Sequence, residues 1–248
     1  MRFYIYNGII VYYLRGASIL SGFRTFWDGL DWSVLTDILM RVIPALVCIT
    51  LHELAHGFIA SRLGDDTARR AGRLTLNPVR HIDWMGLAMM AAFGFGWAKP
   101  VPVDMRNFRN PKTGMAITAA AGPFCNLLIT IVLLFVYGLI FLPLRSAGTG
   151  ITDFVLQTVL TTAYLSLSLA IFNLIPISPL DGSKVLFSFL SEEAYYKLMR
   201  YERYGMIVLL IVVATGVLGN PLGAATRWVF DKLFILAEWG FGLTTPSF

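Results

Sequence analysis

Apolar residues in this chain run in long blocks, and blocks of that length leave few ways to fold. A helix needs about 20 apolar residues to cross the hydrocarbon core of a bilayer. Four stretches reach or approach that length, at about 33–63, 114–142, 154–175 and 204–218, the last closed by Gly219-Asn220-Pro221. A soluble core would show short alternating runs or amphipathic faces instead. Composition agrees: 56% of the 248 residues are hydrophobic and 14% are charged, against about a quarter charged in a soluble domain. The expected fold is mainly α, a polytopic membrane helix bundle, in a single membrane-embedded domain over residues 1–248.

The ends read differently from the middle. The apolar patch at 1–13 is too short to span, and no small-residue cleavage site follows it. Arg15 and Arg24 among Tyr12, Tyr13, Phe23, Phe26, Trp27 and Trp32 suggest an interfacial segment over about 1–30, with an additional tilted span as the alternative. The stretch 224–243 carries Arg227, Asp231, Lys232 and Glu238, a charge load that suits an interfacial helix better than a lone span, with packing against the bundle as the way to hide some of it. Cys48 and Cys125 both sit in apolar blocks, form no C-x-x-C pair and are expected as two buried thiols.

The net charge of +5 has its source in one region. Between 61 and 112 the chain holds nine Lys/Arg against four acids, whereas 143–153 holds Arg145 and Asp153. The excess of cations predicts that 61–112 is cytoplasmic and that the chain is a multi-pass protein of the cell membrane. The cations lie beside apolar spans, with no aromatic-plus-basic pattern, so the expected partner surface is the lipid bilayer and not nucleic acid. Within the loop, 72–78 and 97–104 read as short strands, giving a β-hairpin or small sheet. Pro100 and Pro102 leave one edge of the second strand without donors, so the other edge, through Lys99, Val101 and Val103, is expected to pair with Leu74–Leu76. A bound peptide would then add to the outer edge of 72–78. The Gly-rich apolar run 85–96 is too short to span and is expected to dip into the bilayer.

Ionisable groups inside an apolar helix cost a few kcal/mol each unless they are used. The first block contains three of them, in Leu51-His52-Glu53-Leu54-Ala55-His56. Residues four apart share a helix face, so His52 and His56 present two imidazoles to one metal. Glu53, beside His52, is placed to act as general base on a water. With Arg62 at the cytoplasmic end of the block, the site would lie roughly 9–15 Å below that end at 1.5 Å per residue.

A catalytic zinc takes three protein ligands and keeps one open position. Cys48 is excluded as the third, because Cys48 and His56 would be about 12 Å apart along the helix axis. Asp181 is the candidate, in Asn173-Leu174-Ile175-Pro176-Ile177-Ser178-Pro179-Leu180-Asp181-Gly182, where two prolines break the helix. Irregular backbone at that depth is tolerated where it lines a cavity. Two alternatives stand beside this one: Asp181 as N-cap of a short helix over 182–190, and His81 as the third ligand. Asn173 and Asn126 are candidates for holding substrate or a developing oxyanion, or for interhelical hydrogen bonding.

Together these residues resemble the site-2 protease family of intramembrane zinc metalloproteases. The resemblance is carried by His52-Glu53-x-x-His56, by Gly122-x-x-x-Asn126, and by Asn173 eight residues before Asp181-Gly182. The loop strings Gly64-Asp65-Asp66-Thr67-Ala68, Gly72-Arg73-Leu74-Thr75-Leu76-Asn77-Pro78 and Trp97-Ala98-Lys99-Pro100-Val101-Pro102 are similar to those of the compact bacterial and archaeal members, and the match runs over about 45–182. It implies a zinc-dependent endopeptidase acting on membrane-spanning protein substrates. One Zn²⁺ per chain would rest on His52, His56 and Asp181, with Glu53 as base. The catalytic core would be about 33–190, with interfacial or extra helices at both ends and no PDZ or CBS module. The rival expectation is a membrane metal or ion transporter whose path is lined by the same His/Asp cluster. Neither reading gives an oligomeric state.

Overall fold

A computed structural model of the chain describes residues 32–86 and 97–245. The expected interfacial segment over 1–30 and most of the 85–96 stretch lie outside them. The described chain is mainly helical. Its helices include α1 (Trp32–Arg62), α2 (Thr67–Arg70), α3 (Pro111–Ala147), α4 (Gly150–Asn173), α5 (Asp181–Phe187), α6 (Glu192–Ala214), α7 (Gly219–Leu233) and α8 (Ile235–Thr244). Val42–Arg62 of α1, together with α3 and α4, are long and apolar enough to cross a membrane; Tyr204–Ala214 and 219–244 form a bent pair at 86° that counts as a fourth candidate.

The boundaries of the spans are set by local signals. Asn110 caps α3 by accepting from Thr113 N–H, with Pro111 in the first turn where its missing N–H costs nothing. Gly148, at φ +60°, ends that helix, and Thr149 with Thr152 forms a capping box that starts α4. The result is a tight hairpin of two spans. α3 is the central element and packs on α1, α4, α5 and α8.

The contact between α3 and α8 uses small residues in place of a hydrophobic driving force, which lipid does not supply. A Cβ at Gly138 would lie 2.1 Å from Ala237 O and 2.9 Å from Gly240 Cα. The stretch 224–243 packs on the bundle along one face: α8 lies against α3, and α7 against α4. The four charges do not prevent it, because Arg227, Asp231, Lys232 and Glu238 are exposed while Thr226, Ala237 and Gly240 are buried.

The expected hairpin is not present. Among the described residues, neither 72–78 nor 97–104 forms a strand, and the pairing near them is a single antiparallel bridge, Ile82 with Ala98. The groups meant for a ladder are used elsewhere. Pro78 opens a 3-10 turn to His81, capped by Asn77. Lys99 N–H donates to His81 O at 2.9 Å, and Lys99 O accepts from the buried Arg73 guanidinium at 2.6 Å. Val101 N–H leaves the loop altogether and donates to Glu53 Oε2 at 2.8 Å. The proposed substrate edge on 72–78 therefore loses its basis.

What shapes this region instead is a buried carboxylate. Asp65 accepts from the Thr67 backbone and hydroxyl, from Asp104 N–H at 2.7 Å and from Asn107 Nδ2 at 2.7 Å. The far end of the loop is thereby tied to the residues just after α1. Burial alone would raise the Asp65 carboxyl, but the donors from Thr67, Asn107 and Asp104 outweigh it and hold the group below the ordinary carboxylate range.

Candidate metal centre

α1 runs unbroken through the motif, so His52 and His56 stand one turn apart, both buried. Their Nε2 atoms are 3.1 Å from each other. Asp181 Oδ2 lies 3.1 Å from the first and 3.2 Å from the second. These three atoms form a nearly equilateral triangle. Tetrahedral bonds of about 2.0–2.1 Å would set ligand atoms about 3.3–3.4 Å apart, so the spacing fits one small cation within a few tenths of an ångström.

The protonation states point the same way. His56 Nδ1 faces Thr118 O at 2.8 Å. A carbonyl only accepts, so Nδ1 carries the proton and Nε2 presents a lone pair. His52 Nδ1 faces the Asn126 amide at 3.1 Å. Asn126 is fully buried and its Oδ1 has no partner while Nδ2 points at the ring. Exchanging the amide O and N, a choice fixed by hydrogen bonding, lets Nδ1–H donate to Oδ1. Both histidines then aim Nε2 lone pairs at a carboxylate oxygen, an arrangement that is repulsive without a cation. Doubly protonated rings would instead press two N–H groups together at 3.1 Å. The donor set, two imidazoles and a carboxylate, suits zinc.

Each partner is brought in by a specific packing feature. α3 approaches α1 closely because of Gly122, where a Cβ would lie 2.4 Å from His56 Nε2 and 2.6 Å from His52 Cε1. Thr118 and Asn126, one turn to either side of Gly122, are thereby placed against the two rings. Pro123 interrupts the hydrogen-bond ladder in this turn of α3. The Asn126 carbonyl is held in turn by Thr130 Oγ1 at 2.9 Å and by Ser166 Oγ of α4 at 2.8 Å.

Asp181 comes from the far end of α4. Pro176 and Pro179 stop the helix, and the chain folds back so closely that a Cβ at Gly182 would lie 2.2 Å from Leu174 O. Gly205 of α6 packs on the same bend, 2.4 Å from Ser178 O by the same measure. Asp181 is the first residue of α5, and Leu180, not Asp181, occupies the cap position. Its carboxylate is free to meet the histidines.

Among the described residues, the structure brings together His52, His56 and Asp181 as a group able to hold a metal, with Asn126 against His52. It does not bring His81 there: that ring is buried in the loop and pairs with Thr75 O at 2.9 Å. Asn173 donates from Nδ2 to Leu169 O, one turn back on its own helix, at 3.0 Å. Cys48 and Cys125 are free thiols directed at Thr162 O and Leu51 O. Sequence reasoning missed the Thr118 carbonyl, the steric role of Gly122, the Asp65 tie and the Val101–Glu53 contact. Gly122 stands four residues before Asn126, on the same helix face, a spacing that could have marked it as the point of close approach.

Comparison with known proteins agrees with this chemistry. The chain is 38% identical over 193 residues, 75% of its length and 83% of the relative's, to "Putative zinc metalloprotease YwhC" of Bacillus subtilis. It is 29% identical over 190 residues, 75% of its length and 71% of the relative's, to "Putative zinc metalloprotease Rip2" of Mycobacterium tuberculosis. It is 28% identical over 178 residues to "Zinc metalloprotease MJ0392" of Methanocaldococcus jannaschii, covering 72% of this chain and 40% of that one. The model of Peptidase family M50 matches residues 146–219, which hold Asn173 and Asp181. No solved structure matches. Apolar helices around a His/His/Asp cluster, with these relatives, define a zinc-dependent protease in a multi-pass membrane protein. The chain belongs to peptidase family M50, the site-2 proteases, which favours the enzyme over the transporter.

Proposed function

We propose that the protein hydrolyses a peptide bond within a membrane-spanning segment of a protein substrate, as one domain whose catalytic core is about 33–190. The observation that carries this is the convergence of His52 Nε2, His56 Nε2 and Asp181 Oδ2 between helices long and apolar enough to span. A soluble protease has no reason to place such a cluster there, given the cost of ionisable groups in hydrocarbon.

His52, His56 and Asp181 would hold one Zn²⁺ per chain. Bound there, zinc lowers the pKa of water and polarises a carbonyl. Glu53 takes the proton of the attacking water and returns it to the leaving amine. Asn126 and the Thr118 carbonyl fix the tautomers and orientations of the two imidazoles, the usual task of groups behind a metal ligand. Asn126 thus serves His52 and not an oxyanion. Asn173 spends one N–H on Leu169 O and retains a second to hold substrate or oxyanion. The basic loop 61–112 faces the cytoplasm and supplies the water, and the membrane is the cell membrane.

The test uses purified protein in lipid nanodiscs with a single-span model substrate. Wild type should cut inside the apolar segment. Glu53→Gln should bind zinc at wild-type stoichiometry and leave the substrate intact. Cuts confined to soluble flanks, or an active Glu53→Gln, would contradict the reading.

A further inference from the structure

Glu53 and Gly57 lie one turn apart on α1, about 100° round from the histidine face. Loop residues cover this second face. Pro100 and Pro102 have no N–H, so Val101 carries the one backbone donor between Lys99 and Val103. That donor is spent on Glu53 Oε2 at 2.8 Å. Among the described residues, the other carboxylate oxygen accepts no hydrogen bond.

The contact is built and not incidental. Val101 is buried, and its Cγ1 would lie 3.1 Å from a Cβ at Gly57, which Leu74 Cδ2 would approach at 2.6 Å. Gly57 is therefore a notch that lets the loop reach the helix. The strap is fastened on both sides of Val101: Lys99 by Arg73 and His81, and Asp104 by Asp65. The flanking prolines restrict the backbone and lower its freedom before docking.

We propose that the Val101 peptide N–H is a positioning group for Glu53, holding Oε2 so that the other carboxylate oxygen meets the attacking water in a fixed direction. A carboxylate on two rotatable side-chain bonds plus its own rotation would otherwise sample many orientations. Fixing a reacting group this way is worth orders of magnitude in rate. The inference rests on the reading of Glu53 as general base.

The clean perturbation replaces residue 101 by its α-hydroxy analogue, turning the amide into an ester and removing the N–H while keeping the side chain. The expected result is a kcat lower by about tenfold to a hundredfold, with KM and zinc content unchanged. The same replacement at Val103, in the same strap, should leave kcat near wild type. A kcat within about twofold of wild type, an equal loss from both esters, or loss of zinc or of folding at 101 would overturn the proposal.

A second measurement needs no metal and no activity. Hydrogen exchange across 98–104 in zinc-free protein should quicken in Glu53→Ala and stay near wild type in Glu53→Gln, which keeps an acceptor oxygen. Unchanged exchange in Glu53→Ala would sink this inference alone. Proteolysis by Glu53→Gln would sink the base assignment and leave the exchange result standing.

Discussion

His52 and His56 meet their partners on helices, whereas Glu53 and Gly57, a quarter-turn or so round α1, meet a loop. On the first face Gly122, Asn126, Thr118 and Asp181 come from α3 and α5, and Ser166 of α4 braces Asn126 from behind. On the second face Val101 arrives on a strap held by Arg73, His81 and Asp65. The metal side is thus built from packed backbones that cannot be moved cheaply. The base side depends on a few polar ties between loop segments, each worth on the order of 1 kcal/mol, or up to about 3 for ties to a charged group. The two faces should therefore fail differently under mutation and pH.

The largest expected effect is on the helix-built face. Gly122→Ala should abolish zinc binding and cleavage, since its Cβ would lie 2.4 Å from His56 Nε2. Alanine is the better helix former by about 1 kcal/mol, so helicity should not fall. The contrast is Gly148→Ala, where nothing lies within 4 Å of the added Cβ but φ is +60°. It should cost about 1 kcal/mol of stability and leave zinc in place. Zinc analysis of the two purified variants, with circular dichroism, checks the pair. Retained zinc in Gly122→Ala would show that α3 can retreat.

Next come the two amides. Asn126→Ala should weaken zinc binding by about 10–100-fold, because His52 loses the partner that fixes its tautomer. Asn173→Ala should leave zinc affinity unchanged and slow cleavage by about tenfold or more if its remaining N–H meets the substrate. Titration with a competing chelator, paired with cleavage rates, separates them. Equal zinc affinity in Asn126→Ala would remove Asn126 from the metal side.

The smallest effect, and the most specific to the loop-built face, is with pH. The Asp65 carboxyl is held below its ordinary value in the fold, so the unfolded loop binds more protons than the folded one in that range. Its contribution is fully present above the unfolded value near 4 and is lost as pH falls through the lower folded value. Hydrogen exchange in 97–107 should accelerate over that window before exchange in α3 does. In Asp65→Asn the acid-induced step should disappear. Simultaneous acceleration in both regions would mean that the two faces open together.

The unequal construction also decides what was legible in the sequence. Everything that depends on one helix was readable, because the i, i+4 spacing of His52 and His56 specifies their geometry locally. The helix ends at Asn110-Pro111 and Gly148-Thr149 carry their own signals. Asp181 was reachable because two prolines and an acid in an apolar run admit few explanations. The loop departs from its sequence pattern. Alternating Val and Pro in 97–104 gives the pattern of a strand, but a pattern cannot say which acceptor each N–H will find, and Lys99 and Val101 found His81 and Glu53. Likewise, the charges of 224–243 give no hint that Gly138 and Gly240 let α8 lie directly against α3. Close backbone approach leaves no mark in hydropathy.

One zinc ion held by two imidazoles and a carboxylate is the centre of the proposed chemistry, and zinc K-edge X-ray absorption of the purified wild-type protein measures that directly. The predicted spectrum has about four nitrogen or oxygen scatterers at about 2.0–2.1 Å, with multiple scattering from two imidazoles. A sulfur scatterer near 2.3 Å would bring Cys48 or Cys125 into the site, and a third imidazole would bring in His81. Either result would contradict the assignment of Asp181.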